Sequence, residues 1–275
     1  MSQTKITDFT RGNITRQLIA FASPLFLANL LQVVYNMVDM IVVGKVLGKV
    51  GTSAIAVGGD VIAFLTFVAM GFSNAGQVLI ARFVGAKETH EIGTFIGTMS
   101  GFLIVCAICV SGLSLTFHDE ILNLMRTPVE AYQGAASYSG ICMAGLIFIY
   151  GYNMVSAILR GMGDSKHPLI FIGIAAALNV VLDVLFVMIM NLGVGGAALA
   201  TVISQGASFA CCAVFLVRNS SKFGLTIRLR EFIHWDRGML GNLVKLGVPM
   251  AIKTASIQIS KLFVNAWVNS YGVEV

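Results

Sequence analysis

Residues 24–44 read PLFLANLLQVVYNMVDMIVVG, an apolar stretch in which Asp39 is the only charge. Reading outward, Asp39 remains alone from Arg16 to Lys45, and Asp183 is likewise alone between Lys166 and Arg218. A run of about 20 apolar residues is long enough to cross the hydrocarbon core of a bilayer as a helix. A carboxylate near the centre of such a helix costs about 2.5–3.5 kcal/mol on insertion scales, and acids kept at that cost usually serve an ion or substrate path. Asp39 and Asp183 are therefore the first candidates for function.

Composition carries the same reading to the whole chain. Its 275 residues are 57% hydrophobic and 11% charged, with a mean hydropathy of +0.86. A soluble domain carries about 25% charged residues to cover its surface, so the chain is an all-α polytopic membrane protein. The net charge of +5 lies mostly in connecting segments and concerns topology, not nucleic acid. The first apolar run is too long for a signal-peptide core and lacks a small-residue cleavage site. All five cysteines fall inside apolar runs; Cys106 and Cys109 have no second Cys or His pair, and read as small apolar side chains. The four histidines are scattered in links and form no metal-ligand cluster.

Apolar runs place membrane spans at 17–44, 53–81, 93–117, 132–159, 168–190, 194–217 and 246–271. Thirteen Lys and Arg lie in the N-terminus and alternate links, against Lys45, Lys49 and Arg126 in the others. This asymmetry predicts a cytoplasmic N-terminus. The stretch Leu225–Trp235 mixes apolar and basic residues and suits the inner membrane interface. Pro24, inside the first span, predicts a kink and a hinge. Leu18 to Pro24 is echoed by Leu243 to Pro249, with Gln32 and Gln258 following. The echo predicts a six-helix N-terminal lobe at 1–217, a basic linker at 218–245, and the first helix of a second lobe at 246–275, cut short after Val275. The missing C-terminal lobe would then be a partner of this one.

With the N-terminus inside, four polar residues on four helices fall in the outer half of the bilayer: Asp39, Asp60, Asp183 and Thr201. Gln32, Tyr35 or Asn36, and Asp39 share one helix face, and Asn179 and Asp183 are one turn apart. Carboxylates beside amide and hydroxyl oxygens can hold a proton or a small hard cation; a bound Na⁺ would keep the acid ionised. Spacing alone does not choose between them. Lys253 and Lys261, two turns apart on the seventh span, suit a water-filled cleft.

The ordered motifs resemble those of the multidrug and toxic compound extrusion (MATE) family. They are Pro24-x7-Gln32-Val33-Val34-Tyr35-Asn36-Met37-Val38-Asp39-x4-Gly44, then Gly71-x4-Gly76, Gly85-Ala86, Leu159-Arg160-Gly161-Met162-Gly163-Asp164-Ser165-Lys166-His167-Pro168, and Asn179-x3-Asp183. The resemblance covers nearly the whole chain. It implies twelve helices in two lobes and a multi-pass cell-membrane antiporter that exports organic, often cationic, compounds against Na⁺ or H⁺. It also implies no cofactor beyond the coupling ion, and a cation site at Asp39, Asn179, Asp183 and Thr201 with Tyr35 beside it. Gln32, Asn36 and Asp60 are supporting or substrate-facing candidates, and no carboxylate on the seventh span matches a role there. A flippase for lipid-linked oligosaccharides is the alternative, but it needs a basic cavity, and the first six spans carry no internal Lys or Arg. A membrane protease is disfavoured because Gly161-Met162-Gly163-Asp164 lies in a link, so the protein is not an enzyme on this reading. A gated channel is separated from an antiporter by coupled counterflow.

Overall fold

The computed structural model describes residues 13–223 and 235–269, and the described residues are almost wholly helical. The first helix, α1 (Ile14–Leu65), starts at Asn13, whose Oδ1 accepts from the Arg16 amide at 3.2 Å. Its 52 residues would measure about 78 Å if straight, more than twice a bilayer core. Gly48 breaks it, with φ 64° and ψ −157°, a combination open essentially to glycine alone. Two arms result, 14–47 and 49–65, and they correspond to the first expected span and the start of the second.

The second arm passes into α2 (Phe67–Ala86) without losing helical hydrogen bonds. Thr66 N donates to the Ile62 carbonyl and Met70 N to that of Thr66, both at 3.0 Å. Next come α3 (Thr89–Thr116), the short α4 (His118–Leu124), α5 (Val129–Ala144) and α6 (Leu146–Gly161). The expected fourth span is α5 and α6 together, bent by 52° at Gly145. Helix α7 (Lys166–Asp183) winds on as a π-helical turn, Val184–Ile189, before α8 (Gly193–Arg218) and a 3₁₀ turn, Ser220–Phe223. The last helix is α9 (Arg237–Asn269).

Helix α9 begins nine residues ahead of the expected span at 246. Hydropathy started that span after Lys245, whereas the helix is started by its cap: Asp236 Oδ1 accepts from Met239 N at 2.8 Å. The Asp236 amide also donates to Thr98 Oγ1 on α3 at 3.2 Å. Of the expected interfacial stretch, residues 225–234 lie outside the described residues. Pro24 sits buried inside α1, and the backbone keeps helical angles there; Gly48 is the non-helical position in this helix.

The core lies between α2, α3 and α6, where Ile80, Phe95, Met99, Leu103, Tyr150 and Ile158 are almost fully buried. Tyr150 is satisfied there because its hydroxyl donates to the Leu65 carbonyl at 2.8 Å. At the basic end of the bundle, Arg160 Nε donates to Gln77 Oε1 at 2.9 Å. Asp164 Oδ1 accepts from the amides of Lys166 and His167 and so caps α7. Helix α9 packs antiparallel on α2 so closely that a Cβ on Gly71 would lie 2.4 Å from Ala251 Cα. Large apolar side chains cover the outside of α1, among them Leu18, Phe26, Val33 and Met37, as a lipid-facing or lobe-facing surface requires.

Candidate functional site

Two helices carry the acids. Asp39 stands one turn before Val43 on the first arm of α1, and Asp183 is the last residue of α7 before the π-helical turn. Both are buried, with 5% and 0% of their surface exposed, and their carboxyl groups adjoin. Ionised carboxylates are acceptors only. Accordingly Asp39 Oδ1 and both oxygens of Asp183 have no hydrogen-bond donor among the described residues. A single shared proton would bond the pair to each other. A cation placed between them would satisfy both at once. Leaving two adjacent buried carboxylates charged and unpaired costs several kcal/mol, so the geometry calls for one or the other.

Asn179, one turn before Asp183, is 2% exposed, and neither its Oδ1 nor its Nδ2 has a partner. Thr201 on α8 likewise has a buried hydroxyl without a partner. Asn179 and Thr201 line the same small cavity of about 10 Å³, room for about one water. Of the four residues expected at the cation site, the structure thus joins Asp39 to Asp183 and Asn179 to Thr201. These oxygens form a donor set of the hard kind that suits Na⁺, and the adjoining acids equally suit a proton.

An apolar cluster packs next to the pair, toward the Met190 end of α7. It comprises Val43, Ile55, Tyr138, Cys142, Val187, Ala197 and Ala198. Val43 and Val187 each stand one turn beyond an acid, and Cys142 lies near Asp39. The π-helical turn begins at the residue after Asp183, a position where such turns are frequent in functional sites.

Other candidates fall elsewhere. Asn265 Nδ2 of α9 donates to Asp60 Oδ2, and Lys261 stands near the same carboxylate. Asp60 therefore belongs to the contact between α1 and α9. Gln32 is exposed on α1, as are Lys253 and Lys261 on α9. The side chains of Tyr35 and Asn36 lie outside the described residues. Ser204 and Gln205 line the cavity beside Asn179 and Thr201 but stood out neither by charge nor by isolation. Their signal was spacing, three and four residues after Thr201 on the same helix face.

Fold and site define an α-helical multi-pass membrane protein with a polar acid site inside its bundle. Residues 24–185 match the MatE family, and the chain belongs to that family, as its motifs implied. It is 30% identical over 271 residues to "Probable multidrug resistance protein YpnP" of Bacillus subtilis (strain 168), covering 98% of this chain and 60% of the relative. A solved structure described as the outward-facing conformation of a multidrug resistance MATE family transporter of the MOP superfamily matches with a TM-score of 0.88. That match has 25% identity and covers 100% of this chain and 60% of the other. The inward-facing conformation of such a transporter matches with a TM-score of 0.81 and 26% identity, over 88% of this chain and 55% of the other. The chain spans about 60% of the length of the curated relatives it matches.

Proposed function

We propose that the whole protein is a secondary active antiporter of the cell membrane, with a cytoplasmic N-terminus, that exports organic, often cationic, compounds in exchange for Na⁺ or H⁺. Asp39 and Asp183 are its coupling acids, and Asn179 and Thr201 supply further oxygens. The observation that carries this reading is the adjoining, buried acid pair, of which Asp39 Oδ1 and both Asp183 oxygens lack a hydrogen-bond donor among the described residues. Such a pair is stable only when a proton or cation neutralises it, so its occupancy can bias the packing of α1 against α7. Family membership and a multidrug resistance relative support the substrate class.

Residues 1–217 form one lobe on this reading, 218–245 a linker, and the helix through 246–275 opens a second lobe. Neutralising the acids relaxes the constraint on α1 and lets it bend at Pro24, shrinking the outer cavity. Alternating access follows as the lobes rock against each other. Drug efflux from cells expressing the whole protein, with Na⁺ and pH varied separately, tests the function. Efflux should follow one of the two ions, and Asp39→Asn should abolish that dependence. An Asp39→Asn protein with unchanged efflux and ion dependence rules the coupling role out.

A further inference from the structure

Helix α9 is anchored firmly at its basic end. Asp236, just ahead of it, is bonded to Thr98 of α3, and the Trp235 ring meets Phe102 edge-on at 6.5 Å. Leu243, Gly247 and Ala251, each one turn after the last on a single face, are buried. A Cβ on Gly247 would lie 2.3 Å from the Phe72 ring, just as one on Gly71 would press on Ala251. Beyond Ala251 the packing thins. The same face continues through Gln258, Leu262 and Asn265, which are only half-buried, and no residue of α9 from 252 to 268 is buried. Beside Asp60 on the facing arm of α1, a Cβ on Gly59 would meet nothing within 4 Å.

At that thinly packed end stands a polar contact. Asn265 Nδ2 donates to Asp60 Oδ2, and Lys261, one turn earlier on α9, stands near the same carboxylate. Asn265 lies fourteen residues past Ala251, about 21 Å along the helix axis. The helix is built to give on the way there. Pro249 lies inside it and removes one backbone hydrogen bond. Thr254, Ser256 and Ser260 turn their hydroxyls back to carbonyls four residues earlier, at 2.9–3.0 Å, a pattern that bends helices. Charge sets how tightly the contact holds. Drawing a carboxylate and an ammonium out of water costs about as much as their attraction returns. A contact so balanced holds while the seam is dry and yields when water enters.

We propose that Asp60, held by Asn265 and Lys261, is a latch that closes the seam between α1 and α9 at the outer side of the proposed topology, and that it opens and closes in each transport cycle. The latch rests on the reading that α9 opens the second lobe and that the lobes rock against each other. Its hinge is the anchored basic half of α9, and its moving part is the half beyond Ala251.

The test places Asp60→Cys/Asn265→Cys in the whole protein, in cells, and joins the two thiols with a short, reducible bis-methanethiosulfonate. Efflux of ethidium, an organic cation, is followed before joining, after it and after reduction. The single variants, treated alike, measure what modification alone does. Joining should abolish efflux beyond that effect, and reduction should restore it. If the double variant does not reach the membrane, Asp60→Cys/Lys261→Cys, which keeps Asn265, decides on the same terms. Efflux that continues unchanged across the joined pair overturns the latch and leaves transport standing, and so does a pair that cannot be joined. Complete loss of efflux before joining also overturns it, because a latch sets the balance between states and is not part of the drug path. A wild type that exports no organic cation overturns the transport reading and the latch with it.

Discussion

Asp183 is fully buried with neither oxygen bonded to a donor among the described residues, and Asp39 faces it. Replacing a buried, uncompensated charge with an isosteric amide removes a cost instead of a support. In cation-free buffer at alkaline pH, Asp183→Asn should therefore melt at the same temperature as the wild type or higher. Melting curves in detergent check this, and a clearly lower temperature contradicts it. Tyr150 gives the opposite case. Tyr150→Phe leaves the Leu65 carbonyl without its hydroxyl donor and should lower stability by about 1–3 kcal/mol, read from the same curves. Asp39, Asp183, Asn179 and Thr201 were legible in the sequence because polar groups stand out in apolar runs. Ser204 and Gln205 were not, since a small hydroxyl and an amide on a helix are ordinary until a cavity shows them without partners. The pairing of Asp60 with Asn265 was illegible for a different reason: it depends on how α9 docks.

At the scale of elements, the breaks matter most. Gly48 turns the chain back between the two arms of α1 with a backbone conformation that a side chain resists. Gly48→Ala should cost about 1–3 kcal/mol, measured as a fall in melting temperature of the whole protein with the helical circular dichroism unchanged. The link between the first two spans was readable from Lys45 to Lys49, because charges there end the apolar run. The 52° bend at Gly145 and the π-helical turn after Asp183 left no mark in hydropathy, since neither changes composition. The start of α9 was misplaced for the same reason: its N-terminus is set by the Asp236 cap, while the apolar run begins only after Lys245.

For the whole molecule, the proposed topology puts Arg126 outside and Lys87 inside. Both are exposed, and the native cysteines lie within apolar runs. An impermeant maleimide should label Arg126→Cys in intact cells and Lys87→Cys only after permeabilisation; the reverse pattern inverts the orientation. The central claim is that the acid pair itself holds the coupling cation. It is tested most directly by equilibrium uptake of Na⁺, and of protons at fixed pH, by the purified whole protein and by Asp183→Asn. The account predicts saturable uptake of one of the two ions by the wild type and its loss in the variant, and undiminished uptake by Asp183→Asn would contradict it.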